Sequence, residues 1–501
     1  MAKKKVERKA RILIVTPEIT YLPQGMGNMA NYLQAKAGGL ADVSASLVTV
    51  LFEKGADVHV TLPHYQRMFT VDVGRLISDE LRVYKNRIPG DRIHLAEDRC
   101  FYYRDAVYSY NQPQENVKIA LAFQREVINN IIPTVQPDLI HCNDWMTGLV
   151  PAAAKALGIP SVFTLHNIHT IKTTMAHIED RGIDAYSFWE HLFFEQYPEN
   201  YENARFSNPV DFLVSGVFAS DFVNTVSPTF LEEIVEGKHS FIASNLLSEL
   251  RNKKEQNRAG GVLNAPDMKY HPAQDEFIGK RYRSGEVEEG KAENKKILQE
   301  QFNLIVDPDA PLFFWPSRLD PVQKGPELLA HILYELTVQF PTMQVVFVAN
   351  GPYQHHFKDI VKFHNLYKRV AVSDFDEKLS RRGYAGADFL FMPSRFEPCG
   401  LPQMVGPKYG TLPIACDTGG IHDTVSEMDF DMETGNGFLF QDYSIEGLWW
   451  GIEKALQFYQ KPKPWRTKQL QRVMKDADHR FNHMRTAEQY IAIYKKVLGL
   501  K

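Results

Sequence analysis

Short apolar runs alternate with amphipathic helical stretches along most of this chain, and that alternation restricts the fold more than any single residue does. Ile12-Leu-Ile-Val-Thr16, Val58-His-Val-Thr61, Leu139-Ile-His141, Ser161-Val-Phe-Thr164 and Phe222-Val-Asn-Thr225 read as short buried strands. A second series follows in Leu312-Phe-Phe-Trp315, Val345-Val-Phe-Val348, Phe389-Leu-Phe-Met392 and Leu412-Pro-Ile-Ala415. Strands without a polar face, separated by helices, belong to parallel sheets covered on both sides. The expected fold class is therefore α/β, with two doubly wound domains. The polar stretch Leu250 to Lys296 holds the boundary between them. Within it, Val262-Leu-Asn264 reads as the entering strand of the second domain and Lys269 to Glu293 as a surface excursion. The expected domains are 1–260 and 261–481, with an amphipathic terminal helix at about 482–501 able to pack on either of them, the first being the expected partner.

A chain of 501 residues suits two or three domains with full-sized cores. Its 44% hydrophobic and 24% charged content rules out disorder, and a net charge of -4 argues against coating a polyanion. No nucleic-acid partner is expected, and any phosphate must be held by a few placed cations. Cys100, Cys142, Cys399 and Cys416 are scattered without pairs or metal-ligand spacing, which fits a reducing compartment, so the cytoplasm is expected and a metal is not. The basic N-terminal run reads as a solvated lead-in, since Ile12 to Val15 is too short for a signal-peptide core. No apolar stretch reaches the ~18 residues of a membrane span.

The segments that leave strand ends carry the chemistry. After Phe389 to Met392, Glu397 stands just before a glycine-containing turn, and Thr418-Gly419-Gly420 opens a helix after the next strand. Bare helix amides suit oxyanions, and glycines let a ligand approach the backbone. A second turn of this kind, Lys36-Ala-Gly38-Gly39-Leu40, precedes an apolar helix, with Lys36 as a point charge and Asp42 on the first turn. Arg318 and Lys324 flank one loop and can clamp a diphosphate from two sides. Asp144, after Leu139 to His141, and His166, in the His166-Asn167 pair after Ser161 to Thr164, can hydrogen-bond sugar hydroxyls. Taken singly, each segment also fits a solvated turn or a satisfied buried polar group. No pair of carboxylates announces a glycosidase.

Taken together, Lys36-Ala-Gly-Gly-Leu, His141-Cys-Asn-Asp-Trp145, Phe163-Thr-Leu-His-Asn167, Asn224-Thr-Val-Ser-Pro228, Ser317-Arg-Leu with Gln323-Lys-Gly325, Ser394-Arg-Phe-Glu-Pro-Cys-Gly400, Thr418-Gly-Gly420 and Gly435-Asn-Gly-Phe438 resemble the glycogen and starch synthase family of retaining glycosyltransferases, glycosyltransferase family 5. The resemblance covers nearly the whole chain and implies the GT-B fold, two facing Rossmann-like domains with an interdomain cleft. It implies a catalytic set of His166, Arg318, Lys324 and Glu397. Arg318 and Lys324 would grip the diphosphate, and Glu397 the donor glucose. Lys36, Gly38 and Gly39 would approach the same phosphates, with Asp144, Asn167, Cys399, Gly400, Thr418, Gly419 and Gly420 along the nucleotide sugar. Phe375 falls where the family stacks an aromatic on the base. The implied partners are a nucleotide sugar and an α-glucan acceptor, with no further cofactor. A phenyl ring stacks adenine and uracil alike, so UDP-glucose, a small acceptor or a non-catalytic glucan-binding relative are the competing expectations to ADP-glucose and a growing α-1,4-glucan. The stretch Ile168 to Pro209 departs from the family pattern, and its aromatics read either as a helix's core stripe or as a platform for sugar rings.

Overall fold

The computed structural model describes residues 9–27, 29–30, 32–69, 92–109 and 112–500, so the basic lead-in expected at the N-terminus lies largely outside the described residues. The chain divides into two compact units, one of residues 1–226, 231–262 and 483–501, the other of residues 227–230 and 263–482. The first unit carries β1 (Arg11–Val15), β2 (Asp57–Pro63), β3 (Ile93–Ala96), β4 (Leu139–Asn143), β5 (Ser161–Leu165), a short antiparallel pair β6 (Lys172–Thr173) and β7 (Val210–Asp211), then β8 (Phe222–Thr225) and β9 (Ala259–Gly261). All but the short pair form one parallel sheet in the order β3-β2-β1-β4-β5-β8-β9. The helix α1 (Gly39–Glu53) follows β1, and every side chain from Leu40 to Leu51 is buried. Ala, Leu and Val fill it, so its packing rather than a polar cap fixes its position.

The second unit repeats the plan with β10 (Leu312–Trp315), β11 (Gln344–Val348), β12 (Val370–Ser373), β13 (Phe389–Met392), β14 (Leu412–Cys416) and β15 (Phe438–Phe440), parallel throughout in the order β12-β11-β10-β13-β14-β15. Successive residues of β10 serve opposite faces: Phe313 and Trp315 belong to one core with Phe347, Phe389 and Phe391, while Leu312 and Phe314 belong to another with Val346, Leu390 and Tyr384. This is why these strands have no polar face in the sequence. Three helices of this unit matter below: α2 (Pro326–Gln339), α3 (Pro402–Lys408) and α4 (Gly419–Thr424).

Two expectations are corrected. Val262 to Asn264 is not the entering strand of the second unit; the triplet before it, β9, pairs in parallel with β8 and closes the edge of the first sheet. Gly260 lets this backbone lie close to the Phe222 ring, where a Cβ would already be 3.3 Å away. Nor is Lys269 to Glu293 a surface excursion, because Asp275, Ile278 and Tyr282 are buried. The Asp275 carboxylate accepts from the Tyr409 hydroxyl at 2.6 Å and lies 3.4 Å from the Arg381 guanidinium, and the Tyr282 hydroxyl donates to the Tyr409 carbonyl. Charge pairing makes burial of a polar stretch affordable here, which composition alone does not reveal.

The terminal helix α5 (His483–Val497) belongs to the first unit, and a buried polar chain ties it there. Thr164 Oγ1 donates to Asn224 Oδ1 at 2.7 Å, so it accepts from His141 Nε2, also at 2.7 Å. The other ring nitrogen, Nδ1, then accepts from the Tyr494 hydroxyl at 2.7 Å, and Asn224 Nδ2 donates to the Tyr490 hydroxyl at 3.1 Å. Burial pushes the His141 pKa down to about 3, so the ring is neutral and this tautomer is the one that satisfies every member. Tyr494→Phe strands Nδ1 in the core without a donor and is expected to lower stability by about 1–3 kcal/mol. Urea unfolding of the variant against its parent measures this, and an unchanged midpoint would refute the tie.

Candidate active site

In the second unit the strand order reverses beside β10, so the loops leaving the C-terminal ends of β10 and β13 become neighbours, the position where open parallel sheets bind ligands. Arg395 N donates to the Gln323 carbonyl at 2.8 Å and joins the two loops. Gly325, in the left-handed region at φ 66°, lets the chain turn into α2; a Cβ there would fall 2.1 Å from the Pro393 carbonyl oxygen. The result is a close pair: Lys324 Nζ lies 2.6 Å from Glu397 Oε2, and the Ser394 hydroxyl donates to the same oxygen at 2.9 Å. The Lys324 and Glu397 side chains are only 13% and 5% exposed, so their attraction is little screened by water. Glu397 Oε1 has no hydrogen-bond partner among the described residues. Arg318 stands apart, its side chain 57% exposed and 3.9 Å from Asp320. Phe375 is half exposed in the loop after β12, and its N–H donates to Asn350 Oδ1 at 2.9 Å.

The far end of the Glu397 loop is fixed by backbone contacts. Gly420 N donates to the Glu397 carbonyl at 2.9 Å, and a Cβ on Gly420 would come within 2.2 Å of the Cys399 carbonyl oxygen. Thr418 precedes α4, whose first residues are Gly419 and Gly420, so the loops after β13 and β14 lie against one another. Gln403 Nε2 on α3 donates to the carbonyls of Cys399 and Gly400 at 2.7 and 3.1 Å and to Thr424 Oγ1 at 3.1 Å. The Cys399 thiol is buried and pushed up to about 12 by that burial, so Cys399 contributes its backbone rather than a thiolate.

In the first unit the reversal falls beside β1, which brings together the loops after β1, β4 and β5. Asp144 adopts φ 57° at the end of β4, and its Oδ1 accepts from the backbone N–H groups of His166 at 2.7 Å and Asn167 at 3.3 Å. It thereby joins the ends of β4 and β5. Asn143 Nδ2 donates to the Val15 carbonyl, which turns Oδ1 toward His166 Nε2 at 2.9 Å. His166 therefore carries its proton on Nε2 and offers Nδ1 as an acceptor; burial first, and His141 second, push its pKa down to about 3.

The Gly38-Gly39 turn is exposed, but two of its amides are already engaged. Ala37 N and Gly38 N both donate to Glu18 Oε2, at 2.6 and 3.0 Å. Tyr108 donates to the other oxygen at 3.2 Å. Lys36 Nζ rests 2.9 Å from Asp42 Oδ2, and Thr20 Oγ1 donates to Asp42 Oδ1 at 2.6 Å. Burial, foremost, holds the Glu18 carboxyl above its ordinary pKa. Sequence reasoning missed Glu18, since it stands 19 residues from Ala37 in a loop without periodicity; the one available signal is an acid three residues after the first strand. In the departing stretch 168–209 the helical core stripe is absent: Tyr186 and Trp189 lie in two short 3-10 turns, Phe188 and Phe194 are buried, and Tyr186, Tyr197 and Phe206 are exposed.

Burial raises the Asp144 carboxyl to about 7 in the folded chain, against an ordinary value near 3.8. Between those values the folded state keeps a proton that the unfolded chain has lost, so this group lowers stability as pH rises through the window, by up to about 1.4 kcal/mol per pH unit. Asp144→Asn keeps an acceptor for both amides and removes the titration. The stability difference between variant and parent is expected to move in the variant's favour from pH 5 to pH 8 in thermal melts, and a difference independent of pH would overturn this assignment.

Residues 11–249 match the family model described as starch synthase catalytic domain, and residues 297–472 match that of glycosyl transferases group 1. The glycogen synthase of Moorella thermoacetica is 32% identical, with 98% of each chain covered, and that of Oceanobacillus iheyensis is 33% identical over 92% of this chain and 95% of its own. Among solved structures, the catalytic domain of starch synthase IV from Arabidopsis thaliana, bound to ADP and acarbose, superposes with a TM-score of 0.78 at 25% identity, covering 98% of this chain and 100% of that one. A sucrose-phosphate synthase from Thermosynechococcus elongatus, 17% identical with a TM-score of 0.58, shares the fold. Two doubly wound parallel units, a Lys-Glu pair at the switch point of one of them and these relatives along almost the full length place the chain in the glycogen/starch synthase family of GT-B glycosyltransferases.

Proposed function

We propose that this glycosyltransferase moves glucose from ADP-glucose to the non-reducing end of an α-1,4-glucan with retention of configuration. The observation that carries the reading is the Lys324–Glu397 pair: a cation for the departing diphosphate held 2.6 Å from a carboxylate whose second oxygen has no partner among the described residues. Glu397 Oε1 accepts a hydroxyl of the donor glucose, while Lys324 and the exposed Arg318 meet the diphosphate. Their charge stabilises the nucleotide as it leaves. The acceptor hydroxyl attacks the face from which the phosphate departs, and the leaving phosphate oxygen takes its proton; the bond from glucose to phosphate breaks as the new glycosidic bond forms. No carboxylate nucleophile is required. Lys36 and the open face of the Gly38-Gly39 turn approach the phosphates, and neutral His166 accepts a sugar hydroxyl at Nδ1. Phe375 stacks on the base. The donor nucleotide is proposed as ADP because the starch synthase IV relative was solved with ADP. Four free cysteines among the described residues agree with a reducing cytoplasm as its place.

Nucleotide release from ADP-glucose and UDP-glucose, each with glycogen, a short maltooligosaccharide or no acceptor, tests the reading. Glucan-dependent ADP release with lengthened chains is expected; preference for UDP-glucose would replace the donor, and release without lengthening would replace the acceptor. Arg318→Ala and Lys324→Ala should each cut turnover by two to four orders of magnitude, about 3–5 kcal/mol in the barrier. Near-normal turnover in both would overturn the roles given to them.

A further inference from the structure

Glu18 is buried beneath the exposed Gly38-Gly39 turn, 2% accessible, and the mechanism above does not use it. Its Oε2 gathers two consecutive amides, Ala37 N at 2.6 Å and Gly38 N at 3.0 Å, as a bound anion would be gathered by a nest of backbone N–H groups. Its Oε1 is held by the Tyr108 hydroxyl at 3.2 Å, so the carboxylate is anchored at both ends. Gly38 occupies the N-cap position of α1 at φ -155° without a side-chain cap, and a Cβ there would meet nothing within 4 Å. Neither strain nor crowding from the protein requires a glycine at 38. The first amides of α1, from Gly39 onward, have no intrahelical acceptor and are the ones left to a ligand.

We infer that Glu18 is a positioning residue for the donor site: by engaging the amides of Ala37 and Gly38 from within, it fixes the turn so that the next amides of α1 and Lys36 meet the nucleotide diphosphate. This rests on the reading of the turn as a phosphate contact. Two properties of Glu18 then separate by substitution. Its reach sets the turn, and its negative charge opposes the incoming phosphates. Glu18→Asp keeps the charge and shortens the reach by one methylene; Glu18→Gln keeps the reach and an acceptor oxygen and removes the charge.

The experiment measures ADP affinity by calorimetry, with KM for ADP-glucose and for glycogen, in the full-length parent, Glu18→Ala, Glu18→Asp, Glu18→Gln and Lys36→Ala, each checked by a thermal melt. Glu18→Asp, and Glu18→Ala where it folds, should weaken ADP binding and raise KM for ADP-glucose tenfold or more, with KM for glycogen within threefold of the parent. Glu18→Gln should bind ADP within threefold of the parent or more tightly. A purely structural role would lower melting temperatures without separating the Asp and Gln variants. The inference is overturned if Glu18→Asp binds ADP like the parent, or if Glu18→Gln binds as weakly as Glu18→Asp. Weaker ADP binding in Lys36→Ala with no effect in Glu18→Asp would remove this inference alone, whereas unchanged affinity in Lys36→Ala would remove the turn from the donor site and the inference with it.

Discussion

Reversal of strand order beside the first strand of each sheet decides which loops can meet. In the second unit it sets the loop after β10 against the loop after β13, and in the first it sets the loop after β1 against those after β4 and β5. Parallel pairing points all of these loops to the same edge, the C-terminal one. Everything chemically active described above follows from that adjacency: Lys324 and Glu397 are 73 residues apart in sequence yet 2.6 Å apart in space. A lysine and a glutamate so little exposed are stable only as a pair, because either alone would be a desolvated charge. The pair therefore holds the two loops together.

The first unit solves the same problem with its charges turned inward. Lys36 rests on Asp42, Asp42 accepts from Thr20, and Glu18 takes two amides of the turn that an anion would otherwise attract. Asp144 is held by two backbone N–H groups although its carboxyl is raised to about 7 by burial. Carboxyls raised by burial, as in Glu18 and Asp144, lower stability where they sit and persist because the surrounding structure over-determines their geometry.

The central strands were legible and the edges were not. β1, β2, β4, β5 and β8 in one sheet and β10, β11, β13 and β14 in the other stand within two residues of their expected ends at each terminus. The unrecognised members of the two large sheets are β3, β9, β12 and β15, which are the four outermost strands. An edge strand is covered on fewer sides, so Ile93-His-Leu-Ala96 and Ala259-Gly-Gly261 need no continuous apolar run and give no signal. Asp275 and Arg381 were equally invisible, since a paired buried charge has the composition of a surface loop.

By itself the sequence determined the α/β class, two doubly wound units, the strands at the centre of each sheet, and the family through the order of its motifs, because periodicity and local turn chemistry are written in neighbouring residues. It also named Glu397, Lys324, His166 and the Gly38-Gly39 turn. Only the tertiary structure decided that Glu397 is bound to Lys324 through one oxygen, that His166 is turned by Asn143, that Glu18 occupies the turn from below, and that α5 is tied to the first unit through His141 and Asn224. Those facts depend on which strands are neighbours, and a parallel sheet brings together residues that its connecting helices keep far apart in sequence.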